Sequence, residues 1–293
     1  MADVGVLGLG DMGAALAQTL LTAGFDTVVW NRTASRADAL VGAGAHWADT
    51  AEAALGAADV VLVCVDDYAA TDSFLKTPQA ESTLRGRALV QLSSGSPRQA
   101  REGKAWADGM GAHYVDGAIM AFPSEIGGRE TTIVASGDET GFQRAEPLLR
   151  ALAGNTAYLG SDAGLASALD QALISGVLGT ILGVVNGVLL CEAGGFPAAQ
   201  YAEILGGFMT TLGAQAQAVA RRAAEGDYRE TQAALRTWAR ALEHAAETTR
   251  EAGASDEVAR FISGLFRRAV EAGHGDHDIA ALIEVLRKPA ADG

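Results

Sequence analysis

Residues 4–10 are an apolar run that ends in a glycine turn, Gly8-Leu9-Gly10-Asp11-Met12-Gly13. A helical pattern follows over residues 12–23, with Leu16, Leu20 and Leu21 on one face. On its own a G-x-G-x-x-G pattern is weak. Between a strand and a helix each glycine acquires a physical reason. Gly8 permits the tight turn, Gly10 lets the backbone approach a pyrophosphate, and Gly13 lets the helix pack on the strand. The N–H groups of Leu9, Asp11 and Met12 then belong to a helix start that favours phosphate. A glycine turn without a ligand is the competing reading, and the strand–turn–helix context disfavours it.

The end of the second predicted strand (residues 27–31) selects the cofactor. An NAD site commonly has a carboxylate there to hold the ribose hydroxyls. This chain has Asn31-Arg32-Thr33, with Arg36 one turn later. No carboxylate repels a 2′-phosphate, and two guanidinium groups can pair with it. These residues predict NADP(H), against the alternative of two solvated charges at a helix start. Cys64 and Val65 close a strand over residues 60–65, and Ser93 and Ser94 stand at the end of the next, over residues 88–93. Carboxyl ends of parallel strands face the ligand crevice, so these four are expected on its ribose and nicotinamide side. The serines read equally well as turn residues.

Further strands are expected over residues 113–119 and 131–136, and a helix over residues 34–42. Strands alternating with helices imply βαβ units and a mostly parallel sheet. After about residue 160 the strand-like runs stop. One long apolar helix fits residues 162–191, and further helices fit 198–225, 229–252, 255–272 and 277–287. The expected fold is an α/β Rossmann domain (1–161), followed by a long interdomain helix and an all-α C-terminal domain (162–293).

Composition narrows the partners. A formal net charge of −14 disfavours nucleic-acid backbones and anionic membranes. The two cysteines, Cys64 and Cys191, supply no disulfide framework or zinc spacing. Both sit in apolar runs, read as buried thiols and fit a reducing cytoplasm. No signal peptide is expected. Residues 171–191 carry no charge and are long enough to span a bilayer. Asp170 and Glu192 bound them, and no Lys or Arg anchors lie near, which favours a buried helix. His274 and His277 are close but lack a third ligand, so a solvated turn is expected and no metal. No nucleophile elbow or serine triad order is present.

The arrangement resembles the β-hydroxyacid dehydrogenase superfamily over nearly the whole chain. The residues that carry the resemblance are Gly8 to Gly13, Trp30-Asn31-Arg32-Thr33, the long helix after Gly164 and the helical C-terminal region. Two departures are informative. The dehydrogenases carry Ser-Gly-Gly after Asp-Ala-Pro, where this chain reads Asp116-Gly117-Ala118-Ile119-Met120-Ala121-Phe122-Pro123. They also carry a lysine six residues after the first glycine of a Gly-x-Gly. Here that position is Asp170, and the second glycine is Ala166. In both respects the chain resembles the imine reductases, in the version with an acid at this position. The resemblance implies an interlocked homodimer with active sites shared between subunits.

The exchange of lysine for Asp170 has a chemical meaning. A carboxylate repels a developing alkoxide and favours an iminium cation. Asp170 would act as proton donor, if its apolar setting raises its pKa, or as a stabiliser of a preformed iminium. A carboxylate near the helix start interacting with the dipole is the bland alternative. Ile174, Val177, Leu178 and Ile181 follow on one face, as pocket wall or core. The resemblance favours Leu178 as wall. Met120 and Phe122 are expected near nicotinamide or substrate; the resemblance implies Phe208, Met209 and Trp238 as pocket residues from the other subunit, with interior packing an equal alternative for each. An apolar pocket with one charge suits cyclic or hydrophobic imines. Gly179, Gly183 and Gly187 form a smooth stripe expected at the dimer core. Competing functions are an NADP-dependent β-hydroxyacid or carbonyl oxidoreductase and a non-catalytic NADP(H)-binding sensor.

Overall fold

Short branched strands that are apolar at nearly every position demand cover on both faces. In the computed structural model, which describes residues 1–287, they receive it. The first unit, Met1–Gly176, contains β1 (Val4–Leu7), α1 (Asp11–Thr22), β2 (Thr27–Trp30), α2 (Asp38–Gly42) and β3 (His46–Trp47). It continues with α3 (Ala51–Ala57), β4 (Val60–Val63), α4 (Tyr68–Leu75), α5 (Pro78–Leu84), β5 (Ala88–Gln91) and α6 (Pro97–Met110). Then come β6 (His113–Met120), β7 (Thr132–Gly137), α7 (Glu139–Leu152), β8 (Asn155–Tyr158) and the start of α8 (Gly164–Ala193).

The eight strands lie in the order β3-β2-β1-β4-β5-β6-β7-β8. All pairs are parallel except β6 with β7. Alternate residues feed opposite faces. Val4 and Val6 join Leu16, Leu20, Leu62 and Val90 on one side. Leu7 joins Leu55, Val61, Leu89 and Tyr114 on the other. Polar caps start the crossover helices: Thr50, Asp67, Thr77, Ser96 and Asp138 each accept a hydrogen bond from the first turn. Asp67 matters most, because its cap sets Tyr68 at the first position of α4.

The second unit runs from Val177 onward. It contains the rest of α8, then α9 (Ala198–Glu225), α10 (Leu235–Glu251), α11 (Glu257–Ala269) and α12 (Ile283–Leu286). Tyr228, Leu235, Phe266, Ala269, Ala281 and Val285 form its core.

Several expected elements differ. The helix expected over residues 34–42 is a 3-10 turn, Ala34–Ala37, before α2. The helix expected from residue 229 starts at Leu235, because Asp227 and Thr231 hold a local turn, accepting from the N–H groups of Arg229 and Ala233. The helix expected to residue 272 ends at Ala269 in a wide turn, where Gly273 has φ +94°. Residues 277–287 give a 3-10 turn, Ile279–Leu282, before α12.

The long apolar helix is not a buried core helix within the single chain. Only Gly164, Ala166 and Ser167 of α8 are buried. Among the described residues, α8 is the one helix long and apolar enough to cross a membrane. Its Gly187 lies under the Tyr201 hydroxyl of α9, so that member of the glycine stripe is taken up inside the chain. Gly179 and Gly183 have open space beside them. Cys64 and Cys191 are half-buried, not fully enclosed.

Candidate active site

The glycine turn is built as its spacing requires. Gly8 has φ +97°, and an added Cβ would lie 2.2 Å from the Cys64 carbonyl oxygen. A Cβ on Gly13 would lie 2.0 Å from the Gly8 carbonyl oxygen, so α1 packs on the turn with no room for a side chain. Gly10 opens α1 without a side-chain cap and has nothing within 4 Å of its Cβ position. Bare backbone at a helix start suits a phosphate. The cleft over it, about 670 Å³, is lined by Gly8, Gly10, Asp11, Met12, Gly13, Asn31, Arg32, Thr33 and Arg36, with Cys64 and Val65. Asn31 ties β2 to the turn by accepting from the Leu9 N–H at 2.9 Å. Trp30 and Phe74, with ring centroids 5.0 Å apart, supply apolar lining at the same end. These residues fit a dinucleotide with a 2′-phosphate: bare amides for the pyrophosphate, and two exposed guanidinium groups with no carboxylate at the end of β2.

A smaller cavity, about 220 Å³, adjoins on the side of Met12, Cys64 and Val65. It is also lined by Leu92, Ser93, Ser94, Gly117, Ile119, Ser167 and Asp170. The structure therefore brings Asp170 to the carboxyl ends of β4 and β5. Ser93 is buried and accepts from the Val65 N–H at 3.0 Å, linking the two strand ends. Gln171 donates to the Gly95 carbonyl at 3.1 Å and fixes the start of α8 over the β5 loop. Burial holds the Asp170 carboxyl above the usual carboxylate range.

Behind the cavity stands a network that the sequence did not announce. Asp116, on β6, is 1% exposed. One of its oxygens accepts from the Ser167 hydroxyl at 2.6 Å and the Ser167 N–H at 3.1 Å. The other accepts from the Tyr68 hydroxyl, which accepts from the Tyr114 hydroxyl at 3.1 Å. Burial, partly offset by these hydrogen bonds, pushes Asp116 up to about 6, and the nearby charge of Asp170 adds to it. Burial likewise pushes the Cys64 thiol up to about 11, so it is a packing group and not a nucleophile at neutral pH. The available signal was a carboxylate in the middle of a strand, between Val115 and Gly117.

Other expected pocket residues are not gathered here. Met120 packs against Ala118, Val134 and Ala166, and Phe122 is exposed; neither lines the Asp170 cavity. Ile174 is exposed in the first unit, and Leu178, Phe208, Met209 and Trp238 are exposed in the second. His274 and His277 face one another with Nδ1 atoms 3.0 Å apart in a partly buried turn, not a solvated one.

Residues 3–160 match the family model for the NAD-binding domain of 6-phosphogluconate dehydrogenase. Residues 162–288 match that for the C-terminal domain of NADPH-dependent reductive aminase-like proteins. The chain belongs to the imine reductase family. That family lies within the β-hydroxyacid dehydrogenase superfamily. The NADPH-dependent reductive aminase of Aspergillus oryzae is 33% identical over 288 residues, 97% of either chain. An imine reductase from Myxococcus stipitatus, solved with NADP+, superposes with a TM-score of 0.92 at 36% identity, covering 97% of this chain and 99% of that one. A reductive aminase from Aspergillus terreus, solved with NADPH4, cyclohexanone and allyl amine, gives a TM-score of 0.90 at 36% identity, covering 98% and 100%. This imine reductase homologue is thus an NADPH-dependent oxidoreductase acting on C=N, with the fold of its relatives.

Proposed function

We propose that the chain reduces cyclic or hydrophobic imines and iminium ions to amines, with Asp170 acting on the substrate nitrogen. The observation that carries this reading is the shared cavity of Asp170 with Met12, Cys64, Ser93 and Ser94 at the strand ends. NADPH, when bound, supplies the hydride. The residues do the rest. The glycine turn and Arg32 and Arg36 bind and orient the phosphates. Burial raises the Asp170 pKa, which favours its acid form as the donor to a neutral imine nitrogen. Ionised, it holds a preformed iminium, whose charge it complements. The cyclohexanone and allyl amine carried by the Aspergillus terreus relative support a substrate of this class.

A homodimer fits the same reading. Leu178, Val185, Ile204 and Phe208 are exposed on the single chain, and a second copy of α8 and α9 would cover them. The wall roles expected of Leu178, Phe208, Met209 and Trp238 rest on that assembly, and those of Met120, Phe122 and Ile174 on the resemblance to imine reductases. Two free cysteines suit a cytoplasmic enzyme.

NADPH consumption with a small cyclic imine, measured for wild type beside Asp170→Ala, tests the function. Loss in the variant with NADPH affinity retained is expected. Turnover of 3-hydroxy acids with NADP+ but of no imine would establish the carbonyl alternative. Tight NADPH binding with no turnover of either would point to a sensor.

A further inference from the structure

The cavity that holds Asp170 contains a second polar side chain under an unusual constraint. Ser167 lies three residues before Asp170 on α8, is 5% exposed and lines the cavity. Its hydroxyl donates to Asp116, as does its backbone N–H. Tyr114 donates to Tyr68, and Tyr68 donates to Asp116. Every bond of the network runs toward the carboxylate. A hydroxyl has one proton and two lone pairs. With the proton held by Asp116, Ser167 offers the cavity only lone pairs.

We infer that Ser167 selects nitrogen substrates: its oxygen accepts a hydrogen bond from the N–H of an iminium ion and opposes the lone pairs of a carbonyl oxygen. The inference rests on the imine-reducing reading above and names a group that confers its preference for C=N over C=O. A protonated imine brings both a donor and a positive charge to this oxygen. A ketone brings neither, and two acceptors would face each other without a proton between them. Sites built around one hydrogen bond reject analogues that lack it, because a desolvated polar group is left unpaired.

Asp116 does not reach the cavity lining and is a positioning residue. Strand β6 carries it opposite Gln91 of β5 in register, and Gln91 itself is occupied with Thr71 and the Ser93 N–H. The ionisable groups around Asp116 are Tyr68 from α4, Tyr114 from its own strand and Asp170 from α8. Burial holds both tyrosines protonated, so both remain donors at neutral pH. With Asp116 at about 6, the carboxylate is ionised there and keeps accepting.

The test compares a five-membered cyclic imine, whose iminium form carries N–H, with the N-methyl iminium salt of the same ring, which carries none. At saturating NADPH, Ser167→Ala should lower kcat/KM for the N–H substrate about tenfold and leave the N-methyl substrate within about twofold. Asp116→Asn should reduce the preference between the two substrates in the same direction, with the KM for NADPH unchanged. Equal losses for both substrates in Ser167→Ala, or no loss for either, would overturn the role of Ser167. An unchanged preference in Asp116→Asn would overturn the part given to Asp116. A wild type that reduces neither compound fails the imine-reducing reading itself, and this inference with it.

Discussion

Asn31 accepts from the Leu9 N–H at 2.9 Å and donates to the Thr33 carbonyl at 2.9 Å. The end of β2 thus clasps the glycine turn and its own following loop with one side chain. A neutral amide does both; a carboxylate accepts but cannot donate. Asn31→Asp would free the Thr33 carbonyl and set a negative charge beside the 2′-phosphate. NADPH affinity should fall about tenfold or more, and NADH affinity should change far less. Fluorescence titration with both cofactors measures this.

Arg32 and Arg36 are exposed and line the same cleft. Each is expected to pair with the 2′-phosphate. Arg32→Ala and Arg36→Ala should each raise the KM for NADPH about tenfold, the effect of losing a charge-assisted hydrogen bond. The KM for NADH should stay within about twofold of wild type by the same argument. Equal effects on the two cofactors would refute the assignment.

Gly8→Ala tests the turn itself. The position has φ +97°, and the new Cβ would meet the Cys64 carbonyl oxygen at 2.2 Å. Backbone strain and the clash together should cost about 2–4 kcal/mol. Urea unfolding followed by circular dichroism gives the value. A variant as stable as wild type would mean that the turn relaxes freely.

Asp170→Asn separates the two roles of the acid. For a neutral imine the variant should lose about 100-fold in kcat, the worth of a positioned proton donor. In wild type the rate should fall as pH rises through the Asp170 pKa, because the donor form is lost. Burial moves that fall above the usual carboxylate range. The variant should show no such fall. A preformed iminium needs no proton, so its rate should not fall with pH in either protein.

Asp116 makes a pH-dependent contribution to stability of the opposite sign to a surface ion pair. Its carboxyl stands at about 6 in the folded chain, against 3.8 as a free side chain. Between those values the folded chain keeps a proton that the unfolded chain releases, so stability falls as pH rises through the window. The total is about 3 kcal/mol, complete above the folded value. Asp116→Asn should lose this slope. Urea midpoints of both proteins across the window check it; parallel curves would contradict the raised pKa.

The glycine turn, the early parallel strands, the missing acid at Asn31 and the position of Asp170 were all legible, because each rests on local spacing. Strands β3 and β8 were not. His46–Trp47 is too short for a period, and the exposure of β8 alternates without an apolar face to mark it. The Asp116–Ser167 contact joins residues 51 apart in sequence, and only the placement of β6 beside the start of α8 creates it. The burial expected of α8 failed for a related reason: apolar composition alone does not say which elements of the chain pack on a helix. Helix α10 begins six residues late because Asp227 and Thr231 bond to their own backbone before a helix can.

The four inward-pointing bonds at Asp116 and Tyr68 bear on how a catalytic cycle would close. The cavity holds its negative potential before any ligand arrives, with dipoles fixed at folding. On the proposed chemistry an iminium cation enters and a neutral amine results. Hydride transfer therefore abolishes the charge that held the substrate, while the wall opposite stays electronegative. Grip on the nitrogen weakens at the moment the product forms.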